Sequence, residues 1–259
     1  MTKELKVALL QNEIVWEDSL QNLTKYDTAF SHLAKPVDII VLPEMFNTGF
    51  TMNAAGVAQN MDGNAVNWLK QKSVETGAAV CASLIIEENK KYYNRFIWAE
   101  SGEIITWYDK RHLFRMADEH HTFSPGTTRP EINYKSWRIM PRVCYDLRFP
   151  VWSRSNKFDL QIYIANWPEA RVTAWDTLLG ARAIENQCYV IGVNRIGTDG
   201  KGISYNGHSI VRGPKGEALT TENNESTGWI TATLSLDSLA DYRAKFPVFM
   251  DSDRFDLEV

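Results

Sequence analysis

Cysteine is scarce in this chain. It occurs three times in 259 residues, an odd number without paired spacing, so no disulfide framework carries the fold. Excess charge is also missing. The formal net charge is −4, and no basic tract offers a surface for nucleic-acid phosphates. No stretch approaches the roughly 18 consecutive apolar residues of a membrane span. Met1 to Lys6 mix acid and base ahead of only a short apolar run, which is neither a secretion signal nor a transit peptide. There is no short-period repeat and no low-complexity linker. These absences predict a soluble, reduced, cytoplasmic protein with one domain over residues 1–259 and no nucleic-acid or membrane partner.

What is present is enough apolar sequence, 44%, to bury a large core. Leu5–Leu10, Val37–Leu42, Ala78–Ile86, Leu160–Ala165 and Tyr189–Val193 are apolar almost without interruption, as strands covered on both faces are. Helical spacing links the first two. Ser19 is the expected cap of a helix to about Ala34, with Leu20, Leu23, Ala29, Phe30 and Leu33 as its inner stripe. A β-α-β unit of this kind implies a parallel pair with a right-handed crossover. Asn64–Thr76 predicts a second helix, Tyr92–Ala99 and Glu103–Tyr108 a hairpin, and Asp109–Pro130 a long charged and aromatic loop. Loops that long in compact chains are more often functional than idle. Trp137–Val143 predicts a further strand, with a turn and short helix after Cys144. A helix over Arg171–Gln187 follows, with Val172, Trp175, Leu178, Leu179, Ala181 and Ile184 on its core side. The C-terminal part adds a hairpin turned at Gly213–Gly216, a strand at Trp229–Leu234 and a helix at Leu236–Lys245. The fold class is α/β. Two mixed sheets covered by helices on their outer faces and packed through their inner ones would make an α-β-β-α sandwich.

Chemistry concentrates where strands end. Ligands in open α/β sheets gather outside the carboxyl ends of strands, and three of these ends carry Glu44, Cys144, and Asn166 with Trp167. If those strands are parallel neighbours, the groups meet at one edge, and Lys110, just past the strand Glu103–Tyr108, joins them. A thiolate nucleophile, a carboxylate that takes its proton and an ammonium that faces a developing oxyanion form a coherent set for attack on an unreactive carbonyl. Residue type alone leaves bland alternatives open. Cys144 can be a small buried hydrophobe, Glu44 a loop carboxylate paired with a surface base, and Lys110 part of a solvated charge run. Cys81 and Cys188 read as packing residues, a dyad of Cys144 with His112 is a lesser alternative, and Asp146 and Arg148 read as residues that order the turn. Glu119, His120 and His121 lack the spacing of a metal site, since adjacent histidines rarely face one ion.

Three segments add to this. Pro43-Glu44-Met45-Phe46, Tyr108-Asp109-Lys110-Arg111-His112-Leu113-Phe114 and Cys144-Tyr145-Asp146-Leu147-Arg148-Phe149-Pro150 closely resemble, in order, the signature segments of the nitrilase superfamily. Asn166-Trp167-Pro168, Ala181 to Gln187 and Tyr242 to Pro247 are similar to its bacterial omega-amidase (2-oxoglutaramate amidase) branch. The resemblance implies a four-layer α-β-β-α sandwich, a homodimer, and a catalytic triad of Glu44, Lys110 and Cys144. It places a second glutamate at Glu119, which would orient Lys110 or the substrate amide. It implies hydrolysis of small dicarboxylic monoamides through a cysteine thioester, without metal or organic cofactor, with the oxyanion held by Lys110 and the N–H of Tyr145. For the pocket, Phe50 and Trp167 are the expected apolar walls, and Arg142 and Arg171 the candidates for a substrate carboxylate. One departure stands out: Met140-Pro141-Arg142-Val143 replaces the glycine-rich approach to the cysteine that many relatives carry. The competing functions are a deaminated-glutathione amidase, an N-carbamoyl-amine hydrolase, a true nitrilase, and a non-catalytic binding protein on the same fold.

Overall fold

The computed structural model describes residues 3–34, 36–253 and 255–257. In its first half the chain runs β1 (Glu4–Gln11), α1 (Ser19–Ser31), β2 (Ile39–Val41), α2 (Ala54–Val57), α3 (Asn64–Thr76), β3 (Ala79–Glu88), β4 (Lys91–Glu100), β5 (Glu103–Asp109) and α4 (Glu119–Thr122). It continues through β6 (Ile132–Tyr134), β7 (Trp137–Val143), α5 (Pro150–Ser153), β8 (Leu160–Ala165), α6 (Val172–Asn186) and β9 (Tyr189–Asn194). The last part holds β10 (Ile196–Thr198), β11 (Ser204–Asn206), β12 (Ile210–Arg212), β13 (Gly228–Ser235) and α7 (Leu236–Lys245).

The strands form two large sheets, in the orders β13-β1-β2-β3-β4-β5 and β12-β9-β8-β7-β6. Both are mixed. In the first, β1, β2 and β3 are parallel and β13, β4 and β5 antiparallel to their neighbours. In the second, β7, β8 and β9 are parallel. Period-two alternation sorts the side chains. Leu5, Val7 and Leu9 face Ile139, Ile162 and Ile191 across the gap between the sheets. Ala8, Leu10 and Ile40 point outward onto Tyr26, Val66 and Leu69 of α1 and α3. Met140, Tyr163 and Val190 point the other way, onto Trp175, Leu179 and Ala183 of α6. This is the four-layer α-β-β-α sandwich, and it explains the continuously apolar strands: both faces of each sheet are covered. No helix among the described residues is long and apolar enough to cross a membrane.

Several local expectations are corrected. Asp18, not Ser19, caps α1, its carboxylate accepting the N–H of Gln21 at 2.9 Å, and the helix ends at Ser31. Leu20 is 77% exposed, while Asn22 turns inward because its amide serves Val15 and Asn47. On α6, Ile184 is exposed; Arg182 takes the inner face instead and donates to the carbonyl of Leu147 at 2.6 Å. The hairpin at Gly213–Gly216 reduces to one bridge between Arg212 and Ala218. The short ribbon β10–β11 has too little apolar alternation to be legible beforehand.

Candidate active site

β7 and β8 are parallel neighbours, paired from Ile139 with Leu160 to Val143 with Ile164. Cys144 and Asn166 therefore emerge side by side at their carboxyl ends, with Cys144 Sγ 3.9 Å from the carbonyl of Asn166. Glu44 does not arrive from a neighbouring strand, as strand-end reasoning expected. It follows β2 in the other sheet and reaches across the sandwich. Asn166 seizes it there, donating its backbone N–H to Oε2 at 2.8 Å and its side-chain amide to the Glu44 carbonyl at 2.6 Å.

Lys110 follows β5, held by its own N–H to the carbonyl of Asn94 and by the N–H of Gly126 to its carbonyl. Its Nζ lies 3.0 Å from Glu44 Oε1 and 3.0 Å from both carboxylate oxygens of Glu119. Asn94 closes the cluster, donating to Glu44 Oε1 at 2.7 Å. Glu119, the first residue of α4, is fixed by the Phe114 N–H on Oε2 at 2.5 Å. All of Glu44, Lys110, Glu119 and Asn94 are buried. Ion pairs this dry persist only when each charge keeps partners, and every member here has at least two.

Electrostatics follow from that burial. Desolvation opposes the charge on Lys110, but Glu119 and Glu44 outweigh it and hold the ammonium well above its ordinary value. Glu119 is pushed up by burial against the pull of Lys110, with the Glu44 charge adding to the rise. Burial also raises the Cys144 thiol well above its usual value, and the negative charge of Glu44 raises it further against Lys110. The resting sulfur is thus a thiol beside a carboxylate. Its backbone is strained: Cys144 has φ 45°, in the left-handed region that costs a non-glycine residue about 1 kcal/mol or more. Such an arrangement can move a proton from sulfur to carboxylate as sulfur attacks, with an ammonium waiting for the oxyanion.

Above these groups lies a pocket with about 580 Å³ of empty space, including its open mouth. Phe50, Tyr145, Trp167 and Arg171 line it together with Cys144 and Lys110, and Phe50 lies under the Lys110 ammonium, 5.1 Å from ring centroid to Nζ. Arg142 is the exception among the expected wall residues. Its guanidinium turns away, donating to the carbonyls of Pro141 at 2.7 Å and Trp152 at 2.8 Å, and it is fully buried against Tyr108 and Trp152. Arg148 does the opposite. Read as a turn residue, it lines the pocket and stacks on Trp167. Its position four residues after Cys144, one turn on, was the available signal. Asn94 also escaped notice, though it shares strand parity with the buried Phe96 and Trp98, and a polar side chain in that series asks for a partner. His120 and His121 lie with ring centroids 3.9 Å apart, and with Asp118 they bring three ligand-type atoms within 4.8 Å of one another.

A family model described as carbon-nitrogen hydrolase matches residues 6–244. The chain belongs to the carbon-nitrogen hydrolase family. As a member of that family it is 46% identical over 254 residues to the omega-amidase YafV of Escherichia coli (strain K12), covering 98% of each protein. It is 32% identical over 251 residues to the 2-oxoglutaramate amidase of Bacillus subtilis (strain 168), covering 95% of this chain and 96% of that one. Among solved structures, a CN-hydrolase superfamily protein of Xanthomonas campestris with an arsenic adduct in its active site superposes with a TM-score of 0.95 at 41% identity, over 98% of this chain and 99% of the other.

Proposed function

We propose that this carbon-nitrogen hydrolase is an omega-amidase, cleaving the terminal amide of small dicarboxylic monoamides such as 2-oxoglutaramate to the acid and ammonia. The observation that supports it best is the buried Glu44–Lys110–Glu119 cluster, with the Cys144 thiol beside it under a largely apolar pocket. Names of the similar omega-amidase and 2-oxoglutaramate amidase point the same way.

In this reading Glu44 takes the proton of Cys144 as Sγ bonds to the amide carbon and the carbonyl π pair moves to oxygen. Lys110 and the backbone N–H of Tyr145 hold that oxyanion. As it collapses, the C–N bond breaks and Glu44 returns its proton to the leaving nitrogen, which departs as ammonia. A thioester remains. Glu44 then takes a proton from water, whose oxygen attacks the thioester carbon. The C–S bond breaks and the proton returns to sulfur. The sum is amide plus water giving acid plus ammonia. Glu119 keeps the Lys110 ammonium aimed at the oxyanion. Neither a metal nor an organic cofactor enters the scheme.

Rapid mixing with 2-oxoglutaramate followed by mass spectrometry of the intact protein tests the reading. An adduct on Cys144 with the mass of substrate less ammonia is expected. Undiminished amidase activity in Cys144→Ala would overturn it. The same proposal includes one domain over the whole chain, a cytoplasmic setting that suits three free cysteines, and a homodimer. Exposed Phe246, Met250 and Phe255 near the C-terminus would supply apolar surface to a second copy, and a monomeric sedimentation profile at high concentration would exclude it.

A further inference from the structure

We infer that Arg148 and Arg171 together form the subsite that binds the carboxylate of the substrate and so set which end of the molecule meets Cys144; this rests on the amidase reading above. Both are half-buried and line the same pocket as Cys144. Each guanidinium lies over an aromatic face, Arg148 over Trp167 at 5.0 Å and Arg171 over Phe114 at 5.3 Å. The two stacks are tied together, since Trp167 Nε1 donates to the carbonyl of Arg171 at 2.8 Å. These contacts leave the guanidinium N–H groups of both arginines without a hydrogen-bond partner among the described residues. Among the described residues no carboxylate lies within ion-pair distance of either. The acid that lines the pocket beside them, Asp199, is already spent. Its Oδ1 accepts the N–H groups of Lys201 and Ile203 at 2.8 and 3.0 Å, and its Oδ2 accepts the Tyr205 hydroxyl at 2.8 Å.

Two unpaired guanidinium groups in an apolar-walled pocket suit a planar anion with two oxygens. The floor has the opposite character. Glu44 and Glu119 flank the single cation Lys110 there, so a ligand carboxylate is disfavoured beside Cys144 and a neutral amide is not. The pocket is therefore polarised, and an ω-amide of a carboxylic acid fits it in one orientation.

The test compares kcat/KM for succinamate and for butyramide, a neutral amide of equal length, in the wild type and in Arg148→Met, Arg171→Met and Arg171→Lys. The ratio of the two values within one preparation is independent of how much protein is folded. In the wild type the ratio should favour succinamate by about 100-fold or more, the scale of a charge-assisted contact to a buried anion. Each Arg→Met change should shrink it by about 10-fold or more, mainly through KM for succinamate, and Arg171→Lys should restore part of it. Parallel losses on both amides, with the ratio unchanged, would overturn the subsite and leave the amidase reading standing. Turnover of neither amide by the wild type would instead sink the amidase reading.

Discussion

Asp146 holds His112 at two points, its Oδ1 accepting the backbone N–H at 3.0 Å and lying 2.7 Å from ring Nδ1. Its Oδ2 accepts the Tyr108 hydroxyl at 2.7 Å and the Val143 N–H at 3.0 Å. One buried carboxylate thus pins the residues on either side of the Lys110 segment and the residue before Cys144. Asp146→Asn should cost about 2–4 kcal/mol of stability, since buried acceptors are lost and their donors left unpaired. It should also lower kcat by about 100-fold, as small displacements of positioned groups do. The pH dependence has a defined sign. Burial by itself would raise this carboxyl, but His112 and Arg142 prevail and hold it below the ordinary 3.8. Its stabilisation is therefore complete above that value and fades as pH falls through the lower folded value. Thermal melts of wild type and Asp146→Asn should stay apart at neutral pH and begin to converge only in acid below 3.8.

The thiol of Cys144 should show no thiolate in the resting protein. Burial, with Glu44 adding to it, places its pKa well above 9.0. The thiolate ultraviolet absorbance, read as wild type minus Cys144→Ser, should be absent at neutral pH. A plateau of thiolate signal there would mean that Lys110 dominates the sulfur after all.

Because the proton must leave sulfur during attack, Glu44→Gln should reduce kcat by about 100- to 10,000-fold. Its amide oxygen can accept from Lys110 and Asn94 or from the Asn166 N–H but not from both sides, so the fold should survive at a cost of about 1–3 kcal/mol. Acyl-enzyme should accordingly form slowly in stopped-flow mixing, while far-ultraviolet circular dichroism stays unchanged. A normal burst of ammonia from Glu44→Gln would show that another group takes the proton.

Gly126 lies against the Lys110 segment so tightly that an added Cβ would sit 2.0 Å from the carbonyl oxygen of Asp109. Gly126→Ala must displace that backbone, and with it Lys110. We expect a loss of about 1–3 kcal/mol, typical of overpacking, and a kcat lowered by about 100-fold. Gly77→Ala provides the control. Gly77 ends α3 with φ 67° and open space around it, so alanine there should cost about 1 kcal/mol from backbone strain and leave kcat alone.

Strand existence was legible because Leu5–Leu10 and Leu160–Ala165 are covered on both faces and tolerate almost no polar residue. Glu44, Lys110 and Cys144 could be located as strand-end groups, and Glu119 only through resemblance. What stayed hidden depended on partners far away in sequence. Glu44 reaches Asn166 across 122 residues, and no local pattern says that their strands lie in different sheets. Arg142 and Arg148 carry the same charge on either side of Cys144, and only the carbonyls of Pro141 and Trp152 decide that Arg142 turns inward. Leu20 shows the limit of an apolar residue at helical spacing, since Asn22 outbids it for the interior by satisfying three backbone groups.

The grip of Asn166 on Glu44 has a consequence for the chain before it is finished. Glu44 and Lys110 follow strands of one sheet, Cys144 and Asn166 strands of the other. The first sheet is completed only by β13, which is synthesised after every strand of the second. A nascent polypeptide therefore already holds Glu44 when Cys144 is made, yet the sulfur gains its base only once the second sheet packs on the first.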